Sequence, residues 1–111
     1  MTVGEIRDAL SLTEITVTDP EREIHGVYCG DLLSWVMGRA QCNNLWITIM
    51  SNINVIAVAS LADVSCVVLA EGTTLTEDII ETAKSKGINL LASPLPIYET
   101  AVAVSRTLPN E

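Results

Sequence analysis

The chain has 111 residues, of which 49% are hydrophobic, and it carries 14 acidic against six basic residues, a formal net charge of −8. This acidity argues against binding to nucleic acid or to an anionic membrane surface, because both depend on clustered Lys and Arg side chains. The length is typical of one domain, so residues 1–111 are expected to form a single domain. There is no Phe, and a core of Ile, Val, Leu and Ala is therefore expected.

The cysteines, Cys29, Cys42 and Cys66, are odd in number and far apart, and His25 is the single histidine. Neither a zinc site nor a disulfide framework has the ligands it needs, so no metal and no cofactor is expected. Buried, reduced thiols in a cytoplasmic protein are the expected state. The N-terminus has no basic region followed by an apolar run, which argues against a signal peptide.

The first predicted element is a helix that begins after Thr2, with Glu5 completing a capping box. A loosely alternating segment from Leu12 to Val17 and a turn over residues 18–21 follow. Glu23 to Cys29 is predicted to be a strand. Its expected core members are Ile24, Val27 and Cys29.

A short helix is predicted over Leu32–Met37, with Asp31 as its N-cap residue. This helix carries Trp35 and Met37. Burial in the core is expected for both side chains, and the alternative is an exposed patch for a partner.

The strongest signal in the sequence is the buried strand Leu45–Met50, followed by a polar turn over residues 51–54 and the apolar helix Ile53–Ala62. This stretch has no formal charge from residue 45 to residue 62, but its Asn and Ser residues argue against a membrane span. A helix that is apolar nearly all round must be covered on more than one side. It is therefore either a central helix or a contact with a partner subunit.

The second half repeats the strand-to-helix pattern, and Thr76 is the predicted N-cap of a helix that Gly87 ends. The remaining predicted elements are the strands Val64–Ala70 and Ile88–Ala92, the helices 77–86 and Ile97–Arg106, and a frayed tail over residues 108–111. Short connections between alternating strands and helices favour a parallel sheet with right-handed crossovers. The sequence therefore predicts a three-layer α/β/α sandwich with a mostly parallel sheet.

No GxxxxGK[ST] loop, GxGxxG fingerprint or GxSxG elbow is present. Polar loops instead follow the predicted strands, and in a parallel sheet these loops meet at the carboxyl edge, where ligands bind. Capping of helices is the alternative role for these residues. The candidate ligand-binding residues are Gly30, Asp31, Ser51, Asn52, Asn54, Glu71, Gly72, Thr73 and Ser93.

The chain resembles the DRTGG domain family, and through it the N-terminal domain of HPr kinase/phosphorylase. The matching stretches are Val27–Asp31, the strand–turn–helix of residues 45–61, Cys66–Gly72, Ala83–Ile88, Ser93 and Tyr98–Thr100. At the position of the Asp-Arg-Thr-Gly-Gly motif this chain has Met50-Ser51-Asn52-Ile53-Asn54, so the Arg and both Gly are replaced. The resemblance implies a fold similar to the N-terminal domains of HPr kinase and of the Mur ligases, and a regulatory or ligand-sensing role. Phosphotransfer in such kinases belongs to a separate P-loop domain.

We expect a non-catalytic regulatory module that binds a small nucleotide-like ligand at the carboxyl edge of the strands through a neutral, hydrogen-bonding turn. The alternative is a purely structural homo-oligomeric protein, which family context associates with redox or hydrogenase systems. An enzyme with Cys29 as nucleophile and Asp31 or Glu71 as base is a third hypothesis, but no cation near Cys29 is expected to lower its pKa. The expected partners are a second copy of the chain, with a dimer favoured, a small molecule, or another protein.

Overall fold

The computed structural model of the chain describes residues 1–109, so Asn110 and Glu111 of the predicted tail lie outside the described residues. The described chain alternates helices and strands along most of its length. The elements are α1 (Val3–Ala9), β1 (Thr13–Thr16), β2 (Val27–Cys29), α2 (Leu33–Arg39), β3 (Leu45–Thr48), α3 (Asn54–Ala62), β4 (Cys66–Leu69), α4 (Glu77–Ser85), β5 (Leu90–Ala92) and α5 (Ile97–Thr107).

The five strands form one sheet in the order β1-β5-β4-β3-β2. The pairs β2–β3, β3–β4 and β4–β5 are parallel, and β1 lies antiparallel to β5 at one edge. Helices α2, α3 and α4 pack on one face, and α1 and α5 on the other. The predicted three-layer α/β/α sandwich with a mostly parallel sheet is confirmed.

The two central strands supply the core on both faces of the sheet, as their unbroken apolar sequences predict. Every residue of β3 and β4 is buried. Trp46 and Leu69 pack with α2, α3 and α4, whereas Ile47 and Val68 pack with α1 and α5. The pleat of the strand sends successive side chains to opposite faces, so each strand contributes to both cores.

Helix α3 is the central helix of its layer, because it packs between α2 and α4. Val55, Ile56, Val58 and Ala59 are buried. Its outer face carries the exposed Leu61, so only part of this apolar helix is covered. The predicted closing residue, Asp63, ends the helix in the left-handed conformation with φ of 56°.

The first helix begins with the predicted capping box. The Thr2 hydroxyl accepts a hydrogen bond from the backbone N–H of Glu5 at 3.2 Å, and the Glu5 carboxylate accepts one from the N–H of Thr2 at 2.9 Å. These two bonds satisfy backbone donors that a helix N-terminus leaves free.

Two expectations about the first strands were wrong. The predicted strand from residue 23 is regular only over Val27–Cys29, and Val27 and Cys29 are exposed rather than buried, although Ile24 is buried. The reason is that β2 is an edge strand, and a cleft of about 420 Å³ separates it from the C-terminal end of α5.

The expectation of core burial for Trp35 and Met37 was also wrong, since their exposed fractions are 53% and 47%. Val36 is the buried residue of α2. The Arg39 guanidinium lies 3.8 Å from the centre of the Trp35 ring, a cation–π geometry. Of the cysteines, Cys66 is buried as expected, whereas Cys42 is exposed.

A network of polar side chains lies at the amino edge of the sheet, where the parallel strands β3, β4 and β5 begin. Arg22 donates to the side-chain oxygen of Asn43 at 2.9 Å and to the Asp63 carboxylate at 2.9 Å. The Asn89 side chain accepts a hydrogen bond from the backbone N–H of Thr18 and donates one to the Ser65 carbonyl, each at 3.0 Å. These bonds tie the segment before β2 to the starts of the central strands.

Within residues 1–109, none of the helices combines the length and apolar character needed to cross a bilayer.

Candidate functional site

The predicted binding loops follow parallel strands, so the structure places them along one edge of the sheet, the carboxyl edge of β2 to β5. Pairing continues past the strands: the N–H of Ala70 donates to the Thr48 carbonyl at 3.0 Å, and that of Ser93 to the Leu69 carbonyl at 2.8 Å. The loops after β3, β4 and β5 are therefore neighbours.

Asp31 braces the end of β3 rather than capping a helix. Its carboxylate accepts hydrogen bonds from the Thr48 hydroxyl at 2.8 Å and from the Ile49 N–H at 3.0 Å. The N-cap position of α2 is occupied by Leu32, whose side chain makes no capping bond. The prediction of Asp31 as an N-cap was wrong, because a better acceptor position was available across the sheet.

Gly30 contributes backbone groups to the same corner. Its carbonyl accepts a hydrogen bond from the Trp46 indole at 2.9 Å, and its N–H donates to the Ile47 carbonyl at 3.2 Å. An added Cβ would lie 2.9 Å from the Tyr28 ring, so this position favours Gly. Both backbone groups of Gly30 are therefore used in hydrogen bonds to β3, and its role at the carboxyl edge is structural.

The turn between β3 and α3 is neutral and exposed. The Asn52 side chain accepts a hydrogen bond from the N–H of Asn54 at 2.9 Å and closes a local turn, while the N-cap position of α3 is occupied by Ile53. Ser51, Asn52 and Asn54 all face solvent. The amide of Asn54 and the hydroxyl of Ser51 can therefore donate to or accept from a ligand.

The turn after β4 packs against the loop after β5. Glu71 and Gly72 have positive φ values of 61° and 66°, and their N–H groups donate to the carbonyls of Leu95 at 2.8 Å and Ser93 at 3.0 Å. The Thr73 N–H donates back to Ala70 at 3.1 Å. The left-handed pair turns the chain sharply and leaves the Glu71 side chain exposed.

Thr76 occupies the predicted N-cap position of α4, but its hydroxyl donates to the Asp78 carboxylate instead of capping the helix. This hydrogen bond lowers the pKa of Asp78. Glu77 and Asp78 still place two carboxylates in the first turn of α4, where the helix dipole favours negative charge.

Ser93 is only 2% exposed and lies on the floor of a second cleft, of about 320 Å³, at the same edge. This cleft, which we name the α1–α5 cleft, is lined by Leu10, Leu12, Ser93, Leu95, Thr100 and Ala103. The sequence did not predict Leu10 and Leu12 here, because the place of β1 beside β5 was not foreseen. The signal for that strand was weak, because Ile15 faces one side of the sheet and Leu12 and Val17 the other, with an irregular register between Glu14 and Thr16.

The thiols are not activated. Partial burial and the nearby Asp31 carboxylate raise the pKa of Cys29. The pKa of Cys42 is raised chiefly by its hydrogen bond to the Asp63 carboxylate, and full burial raises that of Cys66 to about 12. Nucleophilic cysteines require a lowered pKa, so the hypothesis of Cys29 as a nucleophile has no support in its surroundings.

Among residues 1–109, no three His, Cys, Asp or Glu side chains converge in a geometry that could hold a metal ion.

No family model matches the sequence, and no curated protein matches it. The fold is similar to a crystal structure described as the CBS and DRTGG domains of the regulatory region of Clostridium perfringens pyrophosphatase, complexed with the activator diadenosine tetraphosphate. The TM-score is 0.72 at 17% sequence identity, over 97% of this chain and 47% of that chain. The chain thus spans less than half of this neighbour.

At this identity the likeness establishes the fold. The predicted resemblance is supported to that extent: the chain has an α/β fold similar to part of a region that contains CBS and DRTGG domains. Membership of the DRTGG family and similarity to HPr kinase remain predictions.

Proposed function

We propose that the chain is a non-catalytic regulatory module that binds a small nucleotide-like ligand at the carboxyl edge of its sheet. The observation that carries this proposal is the likeness of its whole fold to part of a regulatory region that was crystallised with a dinucleotide activator. The matched part is 47% of that region, and assigning ligand binding to this part is our proposal.

The arrangement of the edge supports the proposal. The loops after four parallel strands meet there, as in other open α/β sheets that bind ligands. The Ser51–Asn54 turn presents neutral hydrogen-bonding groups where α3 begins, and the α1–α5 cleft offers apolar walls at the same edge, on the other face of the sheet. An apolar cleft next to convergent polar groups is the usual form of a small-molecule site.

Thermal unfolding in the presence of nucleotides tests the proposal. The full chain is heated with diadenosine tetraphosphate, ATP, ADP, AMP, GTP and adenosine, each at several concentrations. A ligand that binds only the folded state at 100 times its dissociation constant stabilises that state by about 2.7 kcal/mol. We expect at least one compound to raise the melting temperature in a concentration-dependent manner.

The site itself is tested with Asn52→Ala and Asn54→Ala, which remove amides from the turn. Gln41→Ala is the matched control, because Gln41 is an exposed amide at the amino edge, beyond the end of α2. We expect both turn variants to reduce the ligand-induced shift and the control to retain it. The absence of any shift with the whole panel would refute ligand sensing, and equal shifts in all variants would refute this position of the site.

A further inference from the structure

Apart from Ser11, the walls of the α1–α5 cleft are apolar, and Pro94 also lines it. Leu10 and Leu12 come from the turn after α1, Leu95 from the loop after β5, and Ala103 from α5. A charged group placed between such side chains loses hydration without a compensating partner, whereas a planar ring gains contact area. The walls therefore favour an uncharged ring.

The floor of the cleft accepts hydrogen bonds. The hydroxyls of Ser93 and Thr100 lie 2.9 Å apart, and both residues are 2% exposed. The Thr100 hydroxyl donates to the Leu95 carbonyl at 3.2 Å, so the Ser93 hydroxyl donates to Thr100. Both protons are used internally, and the Ser93 oxygen also accepts a hydrogen bond from the Leu95 N–H at 3.2 Å. One lone pair is then left on each oxygen. The floor thus suits an N–H donor such as a ring amine and opposes a phosphate oxygen.

Five of the six basic side chains lie away from the carboxyl edge of the sheet. Arg39, Lys84, Lys86 and Arg106 lie at or near the C-terminal ends of α2, α4 and α5, which run back toward the amino edge. Arg22 is bound to Asn43 and Asp63 at that same edge. These five residues are distant from a ligand in the cleft.

The sixth basic residue, Arg7, lies in the last turn of α1 and is paired with two carboxylates. Its guanidinium contacts Asp8 at 2.9 Å and Glu14 at 2.8 Å. Glu71 and Glu99 add negative charge along the edge. A phosphate group would have to displace carboxylates from Arg7 and approach further carboxylates, which is electrostatically unfavourable.

We infer that the α1–α5 cleft holds the ring of an uncharged purine nucleoside, so that the ligand is recognised by its base rather than by its phosphates. This inference rests on the proposed function and specifies which part of a nucleotide-like ligand the chain recognises. The sugar then extends out of the cleft along the carboxyl edge of the sheet. Added phosphates weaken binding.

Calorimetric titration of the full chain with adenosine, AMP, ADP and ATP at one ionic strength tests the order of affinities. We expect adenosine to bind most tightly and ATP to bind at least about tenfold more weakly, which corresponds to a difference of about 1.4 kcal/mol. Raising the ionic strength should narrow the difference, because salt screens repulsion between exposed charges.

Ala103→Leu fills the cleft from its α5 wall, and Ala101→Leu is the matched control. Ala101 is also a partly buried α5 residue but lines the cleft beside β2. We expect Ala103→Leu to weaken adenosine binding at least tenfold and Ala101→Leu to leave it within about twofold. Leu95→Asp is a second variant in case Ala103→Leu does not fold, because Leu95 is 45% exposed and tolerates a polar side chain.

The outcomes separate this inference from the proposed function. Tighter binding of ATP than of adenosine, or unchanged adenosine binding in both Ala103→Leu and Leu95→Asp, would overturn the inference that the cleft holds the nucleoside ring. The proposed function of nucleotide sensing would still stand. If no nucleoside or nucleotide binds the wild-type chain, the proposed function fails and the inference fails with it.

Discussion

Single side chains at the carboxyl edge have structural as well as candidate binding roles, and Asp31 is the clearest case. Its carboxylate joins the end of β2 to the fully buried Thr48 hydroxyl and to the N–H of Ile49. Sequence patterns identify such a residue as a helix cap because capping is local. The acceptor role across the sheet depends on the pairing of β2 with β3 and is visible only in three dimensions.

Asp31→Ala should destabilise the chain by about 1–3 kcal/mol, because it leaves two donors without their acceptor, one of them buried. Asp31→Asn retains an acceptor oxygen and should cost less. Glu81→Ala, at an exposed position of α4, is the control and should stay within about 0.5 kcal/mol. Urea unfolding measures all three, and equal stability of Asp31→Ala and Glu81→Ala would contradict the bracing role.

The three thiols should differ in reactivity. Cys29 and Cys42 are exposed and Cys66 is buried. In the native state a thiol reagent at pH 8 should titrate two groups, slowly because both pKa values are raised. Cys66, with a pKa of about 12, should react only after unfolding.

Thiol titration with and without denaturant measures this difference. Cys29→Ser and Cys42→Ser should each remove one group from the native count. Rapid native reaction at Cys29 would restore the nucleophile hypothesis, and native reaction at Cys66 would contradict its place in the core.

At the scale of elements, sequence patterns predicted the four helices and three parallel strands from residue 32 onward to within a few residues. Apolar runs and helix-ending residues such as Gly87 are strong local signals. The edge strands were less predictable. A short strand such as β1 becomes regular by pairing with β5, and whether Val27 is buried depends on how far α5 covers the sheet. Leu10 and Leu12 were missed as cleft residues because the pairing of β1 with β5, which brings them to the cleft, is not visible in the sequence.

Helix α2 contains a glycine that its structure does not require. Gly38 has nothing within 4 Å of an added Cβ, whereas Gly26 has φ of 83° and would bring a Cβ within 2.9 Å of the Asn44 amide. Gly38→Ala should stabilise the chain by about 0.5–1 kcal/mol. Gly26→Ala should destabilise it by at least about 1 kcal/mol.

Thermal and urea unfolding of the two variants measure the contrast. A destabilising Gly38→Ala would mean that this part of α2 meets a partner or adopts another conformation. Unchanged stability of Gly26→Ala would contradict the left-handed conformation of Gly26 in the turn that leads into β2.

At the scale of the whole molecule, the fold gathers loops and helix N-termini at one edge and most basic side chains at the other. It also leaves large apolar side chains on the surface of α2, where Trp35 is 53% exposed. Exposed aromatic and methionine side chains, such as Trp35 and Met37, are typical of a protein–protein interface. A dimer through this surface therefore remains our prediction.

Light scattering at high protein concentration should give about twice the monomer mass of 11.9 kDa. Trp35→Glu should return the chain to a monomer. Tyr98→Glu is the matched aromatic control, since Tyr98 is exposed at the carboxyl edge, and should leave the dimer intact. A monomeric wild-type chain would contradict the dimer, and a dimer in all variants would place the interface elsewhere.

Ligand binding at the carboxyl edge is the central claim, and amide NMR during a titration with adenosine tests it most directly. We predict saturable shifts confined to the Ser11–Leu12 turn, the Ser51–Asn54 turn and the segment from Ser93 to Thr100. Amides at the amino edge, including Asn43 and Asn89, should not move. Absence of saturable shifts, or shifts confined to the amino edge, would contradict the account.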